Sequence, residues 1–194
     1  MRHNQLRDTT ADLLREVSND VSVEPRLQPL TGEYFPPSTN TEDDARLDIR
    51  AKGFWDNQQQ DTFDVRVFIP FAPSYRESTL AANYRRHEQQ KRREYGLRVR
   101  EVDRGYFTPL VFTTGGGMAP EATVFFKRLA SMIAEKRGES YSSTMGWLRC
   151  VIGFCLLRAS LTFIRSSRSM TGDQAATESN TAKATAMGRF SKSH

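Results

Sequence analysis

Cysteine and histidine are scarce in this chain. Two cysteines, Cys150 and Cys155, and three histidines, His3, His87 and His194, are spread over 194 residues. None stands at the spacing a tetrahedral zinc site needs, so no zinc site can be built from them. The two cysteines lie five apart within an apolar helical pattern and read as buried, reduced thiols in a reducing compartment. No serine–histidine–aspartate signature is present either. Thr114-Gly115-Gly116-Gly117 is glycine-rich but lacks the lysine of a P-loop, so it reads as a strand-to-helix turn. The helix that follows could still offer its N-terminus to a phosphate. A long uncharged apolar run is missing too. The most hydrophobic segment, 146–164, contains Arg149 and Arg158, which are costly in hydrocarbon. It therefore reads as a packed helix, and no membrane span is expected. No secretory leader is read, because Met1-Arg2-His3-Asn4 runs straight into a helical pattern.

What the chain does have is charge and enough length for one ordinary domain. Its 28 lysines and arginines exceed 23 acidic residues, giving +5 and a pI near 9.4. A basic balance favours anionic partners, nucleic acid first and a membrane surface second. Residues 3–18 place Leu6, Leu13, Leu14 and Val17 on one side of a helix. A short strand, 21–24, ends at Pro25, and the proline-bearing stretch 26–44 reads as a long loop. Residues 76–104 form one long helix with nine basic and five acidic side chains. A strand at 106–113 and helices at 119–137 and 141–165 follow. The Ser/Thr/Ala-rich remainder, 166–194, lacks periodicity and reads as a disordered basic tail beside a domain over 1–165.

Two strand-like pieces carry the chemistry. In Arg46-Leu47-Asp48-Ile49, alternation puts Leu47, Ile49 and Ala51 on one face and Asp48 and Arg50 on the other. In the second, Phe63, Val65, Val67 and Ile69 form the apolar face, opposite Asp64 and Arg66. The connection from Trp55 to Asp61 reads as polar and exposed. Paired as a hairpin, the strands bring Asp48 beside Asp64. Two adjacent carboxylates repel, an arrangement a divalent cation relieves.

On the long helix, Leu80, Tyr84, Glu88, Lys91, Tyr95, Arg98 and Val102 recur at three- and four-residue spacing and share a face. Lys91 thus belongs to the stripe that packs on the sheet, where it could orient a water or stabilise a pentavalent phosphate. A lysine that merely snorkels to solvent is the other reading of the same pattern.

The order helix, three strands, helix, strand, with these acids, resembles the PD-(D/E)XK restriction-like nuclease fold. More narrowly, it is similar to the C-terminal endonuclease domain of site-specific non-LTR retrotransposons and related reverse-transcriptase-bearing elements. The matching pieces are Arg2-His3-Asn4, Glu24-Pro25, Arg46-Leu47-Asp48, Asp64-Val65-Arg66-Val67, the helix with Lys91 and Tyr95, and Pro109-Leu110-Val111 before Gly115-Gly116. They cover roughly residues 2–165. The resemblance implies an α/β (α+β) fold with an αβββαβ core and added C-terminal helices. It also implies a Mg²⁺-dependent DNA endonuclease with Asp48 and Asp64 as metal ligands and Lys91 as the catalytic cation.

Glu24 is either a third acidic ligand or an ordinary strand-end carboxylate. Arg66, Arg85, Arg86, Arg92 and Arg93 are the expected DNA contacts. His3 and Asn4 belong to the family pattern, although a histidine at a helix start also reads as a cap. Asp8, Asp12 and Glu16 read as solvated faces, and Asp43 and Asp44 as turn caps. The family's upstream knuckle and reverse transcriptase are absent here, which reads as a piece of a larger polyprotein or a domain living alone. The expected place of action is intracellular and nuclear. Two departures stand out: Leu47 replaces a proline, and Arg66 replaces the usual lysine two residues after the second acid. Arginine is a permanent cation and cannot act as a base. A catalytically inactive nucleic-acid-binding remnant and a plain interaction domain, its aspartates salt-bridged to Arg46, Arg50 and Arg66, are therefore alternative readings.

Overall fold

The computed structural model describes residues 2–25, 47–158 and 161. The 26–44 loop, Arg46, Asp43, Asp44 and the 166–194 tail lie outside the described residues. The compact unit spans Met1–Leu157.

Its centre is a four-stranded mixed sheet in the order β1-β2-β3-β4, formed by β1 (Asn19–Val23), β2 (Ile49–Lys52), β3 (Gln60–Phe68) and β4 (Tyr106–Thr113). The first three strands are antiparallel neighbours, and β4 runs parallel to β3. A parallel pair needs a crossover, supplied here by α2 (Leu80–Lys91), a π-helical turn (Arg92–Gly96) and α3 (Leu97–Glu101). β4 is an edge strand, which is why it tolerates Pro109. Helices α1 (Arg2–Arg15), α4 (Pro120–Arg137) and α5 (141–158), with a short 3-10 turn at Pro73–Tyr75, complete the described elements.

Strand alternation divides the packing. Ile49, Ala51, Phe63, Val65, Leu110 and Phe112 join Leu6, Leu13 and Leu14 of α1, Phe125, Phe126 and Leu129 of α4, and Leu148 and Ile152 of α5 in the main core. On the opposite face, Phe68 and Val111 pack on Tyr84, while Phe107 meets Val99. The protein is thus a mixed α/β fold.

Several sequence expectations change. Leu47 does not share a face with Ile49 and Ala51. It packs with Val99 and Phe107, because β2 begins only at Ile49 and the chain bends at Asp48. Ile69 lies past the end of β3 and is exposed. The expected 76–104 helix starts at Leu80, where the Thr79 hydroxyl accepts a hydrogen bond from the Ala82 N–H at 3.2 Å. It is interrupted at Arg92–Gly96, a five-residue turn that ends on a glycine, a poor helix former. Cys150 is exposed, whereas Cys155 is buried; both are free thiols.

The connection before β3 is not simply polar and exposed. Asp61 is fully buried, and its Oδ2 accepts the backbone N–H groups of Phe54 (2.8 Å) and Trp55 (3.0 Å). Burial pushes its carboxyl above the usual range, and the two backbone donors oppose that shift. Just before β4, Gly105 approaches the backbone of Gln60 so closely that an added Cβ would collide with its carbonyl oxygen. The Gly105→Ala variant is therefore expected to lose about 2 kcal/mol, read as a lower urea midpoint with an unchanged slope. An unaltered midpoint would show that the 102–105 turn yields freely.

Candidate active site

Register brings the two carboxylates together. The last paired residues of the hairpin are Ile49 and Phe63, so one further antiparallel step sets Asp48 opposite Asp64. Asp48 is held from two sides: its Oδ2 accepts the Val65 N–H at 2.6 Å and the His3 Nε2–H at 2.6 Å. His3 comes from the first turn of α1, so the helix start reaches the end of β2. The hydrogen bond to Asp48 raises the His3 pKa, against burial, which lowers it.

Asp64 is almost fully buried in the middle of β3. Lys91, the last residue of α2, places Nζ 3.0 Å from its Oδ2. That contact is an ion pair without directed hydrogen-bond geometry. The ammonium also lies 3.7 Å from Glu94 and 4.9 Å from the centre of the Tyr95 ring. Burial, and then the charge of Asp48, push Asp64 from 3.8 up to about 6, with Lys91 and His3 opposing. Burial also raises Tyr95 strongly, with Glu94 adding to it, so its hydroxyl stays protonated near neutral pH.

The remaining expected residues are placed differently. The Glu24 carboxylate is engaged by the buried Arg7, although its backbone N–H donates to the Asp48 carbonyl at 3.0 Å. Glu24 thus stands beside the site with its side chain committed to a cation. Arg66 is exposed, and no ion pair joins it to Asp48 or Asp64 among the described residues. Arg50 pairs with Asp103 at 3.3 Å. Among the described residues the two aspartates therefore face a histidine and a lysine; the interaction-domain reading required Arg46, Arg50 and Arg66 with Lys91 distant, and Arg46 lies outside the described residues. Arg85, Arg86 and Arg93 are exposed along the crossover. Arg92 is exposed as well but forks onto Glu121 at 2.9 and 2.5 Å. The α4 N-terminus, the expected phosphate contact, already has an acceptor: Glu88 takes the Glu121 N–H at 3.0 Å. Among the acids expected to be solvated, Glu16 pairs with Arg137 at 2.8 Å and Asp8 with Arg7 at 2.8 Å.

Sequence reading placed His3 in the family pattern without its contact to Asp48, and missed Glu94 and Asp61. Glu94 stands three residues past Lys91, the spacing of a helical ion pair, and that was the available signal. Among the described residues, no three His, Cys, Asp or Glu side chains converge as a metal-binding group. The donor set still fits Mg²⁺, which is commonly held by one or two carboxylates while keeping several waters. Burial first and the charge of Asp48 second raise the Asp64 pKa, and a bound cation would oppose both.

No family model matches the sequence, and no curated protein matches it.

Proposed function

We propose that this protein is a metal-dependent DNA endonuclease of the restriction-like type, related to the endonuclease domain of reverse-transcriptase-bearing retroelements, that nicks a target strand. The observation that carries this reading is the Lys91 ammonium 3.0 Å from Asp64, with Asp48 the next carboxylate across the hairpin. The αβββαβ order is compatible with a restriction-like core, and the lysine arrives from the crossover helix instead of from position 66.

In this reading Asp48 and Asp64 hold Mg²⁺, which supplies Lewis-acid polarisation of a phosphate when bound. The protein's own contributions follow from the contacts. His3 and the Val65 N–H fix the Asp48 carboxylate in one orientation. Lys91 sets a cation where charge develops on a phosphate, steadied by Glu94 and the Tyr95 ring. Exposed Arg66, Arg85, Arg86 and Arg93 supply sequence-independent phosphate contacts. The resemblance to retroelement endonuclease domains supports a nuclear place of action and a larger reverse-transcriptase polyprotein as part of this proposal.

A second reading, a catalytically inactive nucleic-acid-binding remnant, is favoured by Arg66 at the usual lysine position. Plasmid nicking separates the two. Mg²⁺-dependent conversion of supercoiled to open-circular DNA is expected, reduced at least ~100-fold in Asp48→Ala and in Asp64→Ala. Nicking that survives in both variants ends the assignment. Steeply salt-dependent binding with no cleavage would favour the remnant.

A further inference from the structure

Two recesses meet at the N-terminal end of β4, with Tyr106 as their shared wall. One, of about 790 Å³, runs from Trp55 to the first turns of α4 at Pro120 and Val124. The other, of about 590 Å³, lies against Gly96 and Leu97 and carries Arg100 and Arg104. Arg92 and Phe107 line both. Tyr106 is 52% exposed, so part of its ring is open to solvent at the junction.

The two recesses differ in chemistry. The first is walled by Trp55, Tyr106, Phe107, Pro120 and Val124, and two of its three charged residues, Arg92 and Glu121, neutralise each other at 2.9 Å. What remains is a mainly apolar slot with aromatic walls and one carboxylate, the exposed Asp56. The second is cationic. Among the described residues Arg104 has no ion-pair partner, and that of Arg100 is the exposed Glu101 at 3.1 Å. The Arg104 backbone is held at φ 48, an uncommon conformation for a residue with a side chain, and its carbonyl accepts a hydrogen bond from the Gln59 amide at 3.2 Å.

Register sets Tyr106 along the sheet from the acidic centre and on its other face: Tyr106 alternates in phase with Leu110 and Phe112 of the main core, whereas Asp64 faces Lys91 on the opposite side. Tyr106 pairs with Asp61, and Pro109 pairs with Asp64. Three residues of strand span roughly 10 Å at ~3.3 Å per residue. We infer that the joined recesses bind an unpaired stretch of DNA, with a base entering the apolar slot against Tyr106 and neighbouring phosphates lying on Arg100 and Arg104. A base inside a duplex has both faces covered by its neighbours, so a slot of this kind selects unstacked strand over duplex. An acidic peptide would satisfy the arginines but would leave the aromatic slot unfilled. Placement of this strand beside the scissile phosphate rests on the nuclease reading; the binding itself does not.

The test is fluorescence anisotropy in EDTA, with the full chain, a labelled oligo-dT of twelve nucleotides and a duplex of the same length. Tyr106→Ala is expected to weaken single-strand binding roughly five- to tenfold and duplex binding less than about twofold, whereas Tyr106→Phe keeps wild-type binding. The Arg100→Ser/Arg104→Ser double variant is expected to lower the log–log salt slope for the single strand by about 1.4. Unchanged single-strand binding in Tyr106→Ala, or equal losses for single strand and duplex, overturns the proposal. Because cleavage is silent in EDTA, the two readings fail separately. Tyr106-dependent binding by a chain that never nicks would sink the nuclease and keep the groove. Nicking with no Tyr106-dependent strand preference would do the reverse.

Discussion

Asp64→Asn is expected to melt well above the wild type at pH 7.5 and level with it at pH 4. The sign follows from the raised pKa. In the folded protein Asp64 titrates at about 6 instead of 3.8. Folding therefore favours its protonated form. Its ionisation costs nothing below pH 3.8, costs progressively more as pH rises towards 6, and costs its full amount above that. At about 1.4 kcal/mol per pH unit, the full cost is up to roughly 3 kcal/mol. For a domain of this size that is a melting difference of roughly 6–12 °C. Asparagine removes the charge while keeping the shape. The same variant is expected to lose Mg²⁺-dependent nicking, so stability and activity move in opposite directions. Equal melting at pH 7.5 would mean that Asp64 is not held against its ionisation.

Lys91→Met is expected to act in the opposite direction. The lysine is the nearest compensating charge to the Asp64 carboxylate, and its own side chain is largely buried. Removing one member of a buried pair leaves an uncompensated charge, which typically costs 3–5 kcal/mol. Here Asp64 can escape part of that cost by staying protonated, so the loss grows with pH: about 2–3 kcal/mol at pH 8 and little at pH 5. Nicking is expected to fall at least ~100-fold. Thermal melts at the two pH values, with and without 10 mM Mg²⁺, provide the check. A metal bound between the carboxylates restores more stability to Lys91→Met than to the wild type. Melting identical to the wild type at both pH values would remove Lys91 from the electrostatics of the site.

The juxtaposition of Asp48, Asp64 and Lys91 was legible in the sequence because it depends on periodicity. Period two put Asp64 on the face opposite Phe63 and Val65, and spacings of three and four put Lys91 in line with Tyr84 and Glu88. The features that escaped are tertiary. Leu47 obeys the alternation of its neighbours on paper, but the bend at Asp48 turns it towards Val99. Asp61 looks like one more polar loop residue until the chain folds back and gives it the N–H groups of Phe54 and Trp55 to accept. The break at Arg92–Gly96 had a local hint in Gly96, yet a single glycine does not say that a helix will widen rather than stop. Glu24 matched a family pattern, but nothing local announced that Arg7 would claim its carboxylate.

The contacts that Glu88 and Arg92 make with Glu121 have a mechanical side. They fasten the end of α2 and the turn after it to the first residues of α4, across the open edge of β4. Lys91 sits between the two fasteners in sequence. Fraying of the first turn of α4 would remove two of the contacts that hold the segment carrying the lysine, leaving the packing of Tyr84 and the Asp64 ion pair to hold it. The cation at the acidic centre is thus tied in part to a helix end on the far side of the strand.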